Sequence, residues 1–406
     1  MSKRIPIPAE LTKGRLDTQE QALALRPKSH KLFIGIPKEN SVEENRVALV
    51  PSNVAALVGH GHRVVIQSDA GKRANYLDHE YSEAGAEIAH SNEEVYRAEM
   101  IIKTAPPTME EIDFMHPNQV LISPLHLPIV QKEFLEKLRS KRVIALAMEY
   151  IQDDSGAFPV VRIMSEIAGI SAILTAAELL SRSNKGTGLL LGGISGVPPA
   201  RVVILGSGVV AEYATRAALG LGAEVRVFDN NIYKLMRLKH HLGSQIFTSA
   251  LDPVILRKEL IQADVAIGAI HAKTGRTPVV VSEEIVSAMK DGAVIVDVSI
   301  DQGGCFATSE LTTHSKPTFV RNGVVHFCVP NIPSRVGKTA SAAVSNILTP
   351  ILMDLESVSG IESLLYHSEG LRNGVYAYKG CITNNYLGEK FDMKTTDLEL
   401  LITSSL

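Results

Sequence analysis

The chain has 406 residues, of which 45% are hydrophobic and 21% are charged, and its formal net charge is -3. This length predicts two or three domains, and this composition is typical of a soluble globular protein. A charge balance this close to neutral argues against a nucleic acid or a membrane surface as the main partner. We find no run of about eighteen apolar residues and no signal-peptide pattern, so we expect a cytoplasmic protein without a transmembrane helix.

The cysteines do not suggest a metal site. Cys305, Cys328 and Cys381 lack the spacing of metal ligands. We therefore expect reduced thiols in a cytosolic protein and no bound metal.

The first part of the chain alternates strand and helix patterns. Residues 1–30 are polar and irregular, which predicts an arm or a short helix on the surface. From Lys31 onward, apolar runs predict strands over 32–37, 63–67, 100–103, 120–123 and 142–146, with a helix over 53–59. Such alternation is typical of a mostly parallel sheet with helices on both faces.

A second series of the same kind follows a predicted long helix over 165–180 and a Gly/Pro-rich loop. Its strands are predicted over 202–205, 223–228, 265–267, 293–297 and 324–327, with a helix over 209–219. A last long helix is predicted over 339–355.

The segment 202–214 carries the strongest motif. It reads as a buried strand, a glycine turn and a helix, and its G-x-G-x-x-A pattern in that context is typical of dinucleotide binding. Gly206 allows the turn, Gly208 lets backbone N–H groups approach a pyrophosphate, and Ala211 allows close packing of helix and strand. The helix N-terminus adds partial positive charge for the phosphates. We predict that the cofactor is bound by Gly206, Ser207, Gly208, Val209 and Val210.

Asp229 ends the next predicted strand, about twenty residues after the glycines. A carboxylate there accepts hydrogen bonds from the adenosine ribose and repels a 2′-phosphate, which favours NAD over NADP. The alternative is an ordinary glycine turn in an α/β sheet, with Asp229 as a helix cap.

These patterns predict an α/β protein of two doubly wound, parallel-sheet, Rossmann-like domains with a cleft between them. We assign residues 1–160 and 338–406 to a substrate-binding and catalytic domain, and residues 161–337 to the NAD-binding domain. The second domain is expected to be inserted into the first, because the chain after Lys338 is predicted to be helical and too short for a domain of its own.

Further segments carry a family resemblance. They are Gly-Ile-Pro-Lys-Glu at 35–39, Glu-Asn-Arg-Val-Ala at 44–48, Met-Ser-Glu-Ile-Ala-Gly at 164–169, the Gly206 turn, Ile-Asp-Gln-Gly-Gly-Cys-Phe at 300–306 and Asn-Ile-Pro at 331–333. From about Lys31 to the C-terminus, the chain resembles alanine dehydrogenase and, more distantly, the NAD-binding subunit of proton-translocating transhydrogenase. The run at 301–306 is highly specific.

The resemblance implies an activity, NAD-dependent oxidative deamination of L-alanine to pyruvate, ammonia and NADH. It implies a small amino acid or 2-oxo acid as substrate and a homo-oligomer, hexamer or dimer. Arg46 would hold the substrate carboxylate, His126 would be the catalytic histidine, and Asp301 would help to activate water or ammonia at the nicotinamide.

The resemblance also implies cofactor contacts outside the glycine turn. Ser165 and Asn331 match residues near the cofactor, and Asp229 matches the ribose-binding acid. His271 and Asp301 are expected near the nicotinamide.

These residue types suit the chemistry. Arginine offers a planar fork for a carboxylate, histidine is an acid/base with a pKa near neutrality, and a carboxylate can orient the nucleophile. The hydride chemistry belongs to the cofactor. Taken alone, Arg46 could be a surface cation, His126 a core histidine and Asp301 the cap of a turn.

The chain departs from the family at Ala105. Alanine dehydrogenases usually carry Lys-x-Lys at this strand end, where the chain has Lys103 and Ala105. The two positions share a face of the strand, so we expect Lys103 to contribute to substrate binding. Arg162, Arg335 and His271 are the other candidates for a compensating cation.

Two alternative functions therefore stay open. One is a related dehydrogenase for another amino or 2-oxo acid, such as the saccharopine-forming type. The other is an NAD-binding protein that has lost turnover, although Arg46, His126 and Asp301 argue against that loss. The histidine at 126 and the lack of the Arg-Gln-Asp loop of transhydrogenase subunits argue against a membrane partner subunit.

Overall fold

A computed structural model describes residues 31–127, 129–272, 275–357 and 361–404, with residues 355–357 described by their backbone alone. The predicted arm over residues 1–30 lies outside the described residues.

The first part of the chain builds a parallel sheet. Its elements are β1 (Phe33–Ile36), α1 (Pro51–Gly59), β2 (Arg63–Gln67), α2 (Asp78–Glu83), β3 (Glu87–Ala89), α3 (Asn92–Val95), β4 (Met100–Ile102), α4 (Met109–Asp113), β5 (Val120–Ser123), α5 (Lys132–Lys141), β6 (Ile144–Ala147) and α6 (Pro159–Leu179). The six strands run parallel in the order β3-β2-β1-β4-β5-β6. This is the strand order of a doubly wound fold.

The second part builds another sheet of the same kind. Its elements are β7 (Arg201–Leu205), α7 (Val209–Gly220), β8 (Glu224–Phe228), α8 (Ile232–Leu242), β9 (Phe247–Ser249), α9 (Pro253–Ile261), β10 (Val265–Gly268), α10 (Glu283–Ser287), β11 (Val294–Asp297), β12 (Thr318–Arg321) and β13 (Val324–Phe327). The order is β9-β8-β7-β10-β11-β13-β12, with β12 alone antiparallel among these strands.

The last part of the chain returns to the first sheet. Its elements are α11 (Gly337–Ser357), α12 (Ile361–His367), α13 (Glu369–Arg372), β14 (Val375–Tyr378), β15 (Cys381–Ile382), α14 (Asn385–Phe391) and α15 (Leu398–Thr403). The expectation of a wholly helical C-terminal part is wrong, because β14 pairs antiparallel with β6 and with β15. The predicted architecture, two α/β sheets with one inserted into the other, is confirmed. The boundaries proposed near residues 160 and 338 stay predictions, and α6 crosses the first of them.

Both sheets are buried on both faces, which explains their continuous apolar strands. In β4, Met100 and Ile102 belong to one apolar core and Ile101 to another. In β7, Val202 belongs to one apolar core and Val203 to another. Polar side chains are therefore concentrated where the strands end.

The long helix α6 passes the length and hydropathy criteria for a membrane span, contrary to the expectation that no segment would. It packs tightly against α7, since a Cβ at Gly169 would lie 2.4 Å from the carbonyl oxygen of Val210. Ala168, Ala172 and Ala176 join the apolar core of the second domain. Packing between helices accounts for the apolar composition of this face of α6.

Candidate active site between the two sheets

The predicted site residues follow the carboxyl ends of strands in both sheets. Arg46 lies in the loop after β1, Lys103 directly after β4, and His126 three residues after β5. The second sheet contributes the glycine turn after β7, Asp229 after β8, His271 after β10, Asp301 after β11 and Asn331 after β13. The two sets meet where Asn331 Nδ2 donates to Glu44 Oε2 at 3.0 Å. Ligands of open α/β sheets bind at such strand ends.

Arg46 is 8% exposed and is fixed by Glu44. Its Nε donates to Glu44 Oε1 at 2.7 Å and its Nη2 to Oε2 at 2.6 Å. Burial would lower the pKa of Arg46, but the carboxylates of Glu44, Glu39 and Asp301, with Glu44 the largest of the three, raise it above its ordinary value. Within the described part of the chain, the one hydrogen-bond acceptor of the remaining nitrogen, Nη1, is the thioether sulfur of Met164, at 3.4 Å. A thioether is a weak acceptor, so Nη1 keeps donor capacity for a ligand carboxylate.

Lys103 lies beneath this loop rather than at the cleft. Its ammonium group is 1% exposed and lies 2.9 Å from Glu39 Oε2 and 2.9 Å from Glu111 Oε1. Burial would lower the pKa of Lys103, but the two carboxylates raise it above its ordinary value. Glu39 Oε1 also accepts from the N–H of Thr104 at 2.6 Å. These contacts support the loop over Thr104 and Ala105, and they do not favour the predicted direct contact of Lys103 with substrate.

His126 has a left-handed backbone conformation, with φ of 52°. Solvent reaches its imidazole, although protein atoms surround the ring. These surroundings, together with the positive charge of Arg46, lower the pKa of His126. The imidazole is therefore neutral at pH 7 and can accept a proton.

Asp301 lies in a short turn, Val298–Gln302, directly after β11. Solvent reaches its carboxylate too, but the surrounding protein raises the pKa of Asp301 to about 6, while Asn331 and Arg46 limit the rise. The N–H of Asn331 donates to Asp301 Oδ1 at 3.3 Å. The charge of Arg46 lowers the pKa of both Asp301 and His126, so both groups lie within electrostatic range of Arg46.

Asp297, which is fully buried, fixes the loop that carries Asp301. Asp297 Oδ1 accepts from the N–H of Ser299 at 3.0 Å, and Oδ2 accepts from the N–H of Cys305 at 2.8 Å and from Ser309 Oγ at 2.7 Å. Gly303 and Gly304 both have positive φ, which lets the loop turn back between these anchors.

The glycine turn has the form of a dinucleotide cradle. Gly206 has φ of 109°, and a Cβ there would lie 2.3 Å from the carbonyl oxygen of Ala269. Gly208 precedes α7, and a Cβ there would meet no atom of the described residues within 4 Å, apart from its neighbours in the chain. The first N–H groups of α7, at Val209 and Val210, are therefore open to a phosphate.

The acid predicted to bind the ribose, Asp229, directly follows β8. Its Oδ2 accepts from Ser207 Oγ at 2.7 Å and its Oδ1 accepts from the N–H of Asn231 at 2.7 Å. Ser207 is buried, so its hydroxyl orients Asp229 instead of facing the cleft. These residues fit an adenosine ribose and a pyrophosphate; their assignment to the cofactor stays a prediction.

Two of the three cations proposed to replace a second lysine, Arg162 and Arg335, are engaged elsewhere. Arg162 lies 3.3 Å from Glu166, and Arg335 donates to Thr175 Oγ1 at 2.6 Å while covering the ring of Phe327. His271 is exposed, and its surroundings and Lys234 lower the pKa of its imidazole.

Ser165, which is predicted to lie near the cofactor, is half-buried on α6.

Two site residues were missed from the sequence. Glu44 binds Arg46 from two positions upstream, and Glu149 accepts hydrogen bonds from the loop of His126. A carboxylate three residues after the predicted strand over 142–146 was the available signal for Glu149. Within the described ranges, no group of three His, Cys, Asp or Glu side chains could hold a metal ion, and Cys305, Cys328 and Cys381 are free thiols.

Two Rossmann-like domains, a glycine cradle and a polar cleft define a dinucleotide-dependent oxidoreductase. Comparison with known proteins identifies the family. The model of the N-terminal domain of alanine dehydrogenase/PNT matches residues 35–168, and that of the C-terminal domain matches residues 172–385. The chain therefore belongs to the alanine dehydrogenase/PNT family.

Individual relatives agree with this assignment. Alanine dehydrogenase 2 of Staphylococcus aureus (strain USA300) is 37% identical over 367 residues, which are 90% of this chain and 98% of that protein. A solved L-alanine dehydrogenase superposes with a TM-score of 0.84 at 36% identity, over 88% of this chain and 99% of the other. A transhydrogenase of Sinorhizobium meliloti shares the fold, with a TM-score of 0.75 at 22% identity, over 87% of this chain and 99% of the other.

Proposed function

We propose that the protein catalyses the reversible, NAD-dependent oxidative deamination of L-alanine to pyruvate and ammonia. The observation that carries this proposal is the position of Arg46, whose charge reaches both His126 and Asp301 and whose partner Glu44 contacts Asn331 of the second sheet. The likeness to alanine dehydrogenases over nine tenths of the chain supports the choice of substrate.

The cofactor is NAD rather than NADP, because the half-buried Asp229 would place its carboxylate against a 2′-phosphate. Gly206, Gly208 and the first N–H groups of α7 would hold the pyrophosphate, with Ser165, His271 and Asn331 along the same cleft. When bound, NAD accepts a hydride from Cα of the amino acid. Titration of both cofactors by fluorescence tests this preference.

The protein's own groups orient the substrate and move protons. Arg46 Nη1 would bind the substrate carboxylate through a charge-assisted hydrogen bond. Neutral His126 would take a proton from the water that adds to the imine carbon and would return it to the departing ammonia. The Asp301 carboxylate would orient that water and stabilise the cationic imine.

Ala105 leaves the substrate carboxylate with fewer cationic partners. Lys103 is held by Glu39 and Glu111, and Arg162 and Arg335 are engaged elsewhere. One missing charge-assisted hydrogen bond costs roughly 1.5–3 kcal/mol. We therefore expect a high Michaelis constant for L-alanine, and expect Ala105→Lys to lower it about tenfold or more. An unchanged constant in steady-state kinetics would show that another group already supplies this contact.

We further infer a cytoplasmic homo-oligomer, a hexamer or a dimer, with neither nucleic acid nor membrane as partner. An exposed apolar surface supports the association, since Leu174 on α6 is 54% exposed and Leu190 and Ile194 are 66% and 65% exposed. Apolar patches of this kind often mark contacts between proteins. Light scattering after gel filtration measures the mass of the particle in solution. The mass of a monomer would reject the proposed homo-oligomer.

The function is tested by incubating the protein with NAD and a panel of L-amino acids, and measuring NADH and ammonia together. We expect L-alanine to give both products in equal amounts. If neither L-alanine nor pyruvate with ammonia is turned over, the proposal is rejected.

A further inference from the structure

The loop that carries His126 leaves β5 beside the loop that carries Glu149. The strands β5 and β6 are parallel neighbours, and Ser123 pairs with Ala147 at their carboxyl ends. His126 and Glu149 follow these ends within three residues. Adjacent parallel strands thus place the two loops side by side.

One carboxylate oxygen connects the loops. Glu149 Oε1 accepts from the N–H of Leu125 at 2.8 Å and from the N–H of His126 at 3.1 Å. Among the described residues, these two N–H groups have no other hydrogen-bond acceptor. Two consecutive N–H groups that point at one anion form a compact backbone nest.

The conformation that the nest holds is an unfavourable one. His126 has φ of 52°, which is rare for a residue with a side chain, and such conformations persist only where their surroundings fix them. The carbonyl oxygen of His126 is held as well, since it accepts from the N–H groups of Ile129 and Val130. The fixed backbone conformation of His126 therefore sets the direction in which its imidazole points.

A purely structural role does not explain why the second carboxylate oxygen of Glu149 lacks a hydrogen bond. Its Oε2 is buried and has no hydrogen-bond partner in the described part of the chain. Such an atom costs stability, and native proteins that keep one commonly do so for function. Because Oε1 alone holds the nest, a neutral amide oxygen at the same place can replace it.

We propose that Glu149 is a positioning residue, which fixes the left-handed turn at His126 and so aims the imidazole at the substrate. The catalytic part of this proposal rests on the proposed function, and the structural part does not. Glu149 itself touches no reacting atom. A displacement of the imidazole by about 1 Å can lower a rate about a hundredfold.

The test combines amide hydrogen exchange with kinetics on the full-length protein. Pro124 and Pro128 carry no amide hydrogen, so a peptide over 124–128 reports on very few amides. We expect Glu149→Ala to speed exchange at Leu125 and His126 by about tenfold or more and to lower kcat by about ten- to a hundredfold. The dissociation constant of NADH should stay unchanged. Glu149→Gln should restore both protection and kcat.

A matched control removes another carboxylate that binds backbone N–H. Glu94 accepts from the N–H of His90 at 2.8 Å on an exposed surface, so Glu94→Ala should leave kcat and the 124–128 peptide unchanged. Unchanged protection in Glu149→Ala, or lost protection with normal kcat, would overturn the proposal. Protection restored without kcat in Glu149→Gln would overturn it too, because charge would then matter rather than position. If the wild-type chain does not turn over L-alanine, the proposed function fails while the exchange data still decide on the nest.

Discussion

The two domains contribute different kinds of chemical groups to the cleft. The first domain contributes buried side-chain charges, such as Lys103 between Glu39 and Glu111 and Arg46 beside Glu44. At its nucleotide cradle, the second domain contributes mainly backbone groups, released by glycines and by the start of a helix. The first half therefore depends on charge pairing, whereas the cradle depends on conformation and empty space, and substitutions should damage them in different ways.

The largest expected effect concerns the charge pairs. Lys103→Met removes the cation between two buried carboxylates, which should lower the free energy of unfolding by about 3–5 kcal/mol. Lys137→Met is the matched control, because Lys137 pairs with the exposed Asp113 at 2.7 Å and should lose at most about 1 kcal/mol. Urea unfolding followed by circular dichroism measures both. Equal losses would contradict a stabilising role for the buried pairs.

His126 tests the chemistry of the first half without removing a charge pair. His126→Ala should lower kcat about a hundredfold or more, with the affinity for NADH unchanged, because the imidazole lies apart from the nucleotide cradle. Steady-state kinetics and a fluorescence titration measure the two quantities. Survival of turnover would make this histidine structural and would leave Asp301 and water as the acid/base system.

The glycines test the second half, with smaller effects. Gly206→Ala should lower both stability and NAD affinity, since its Cβ would meet the carbonyl oxygen of Ala269. Gly208→Ala should leave the melting temperature within about a degree, because among the described residues only its chain neighbours lie within 4 Å of the added Cβ. It should weaken NAD binding about tenfold, as the methyl group enters the phosphate space. Equal loss of stability in both variants would contradict an open cradle at Gly208.

The same contrast explains what could be predicted from the sequence. The strands of both sheets were predictable because their apolar runs are continuous, and the cradle because glycines at fixed spacing have a direct conformational meaning. The short strands β3, β9 and β12 were not predicted, since three or four partly exposed residues carry little periodicity. The strand β14 was missed because its apolar run lies in a part of the chain that was expected to be wholly helical.

The charge network was harder to predict. Nothing local indicates that Lys103 turns to Glu39 and Glu111, because that choice depends on long-range packing. Arg46 and His126 were selected through the family resemblance, since a lone arginine or histidine has many ordinary roles. Glu149, which holds the loop of His126, carries no motif of its own and was found only from the structure. Glu44 lies in a segment that resembles the family, but its role in holding Arg46 was found only from the structure.

The most direct test of the account is the rate of NADH formation from L-alanine by the wild-type chain as a function of pH, with ammonia measured alongside. Burial raises the pKa of Asp301 to about 6, and its carboxylate must be ionised, whereas the lowered pKa of His126 keeps its imidazole neutral at pH 7. We therefore predict equal amounts of NADH and ammonia, and a kcat/KM that falls as the pH drops through about 6. Absence of NADH formation from L-alanine at any pH, together with no NADH consumption with pyruvate and ammonia, would contradict it.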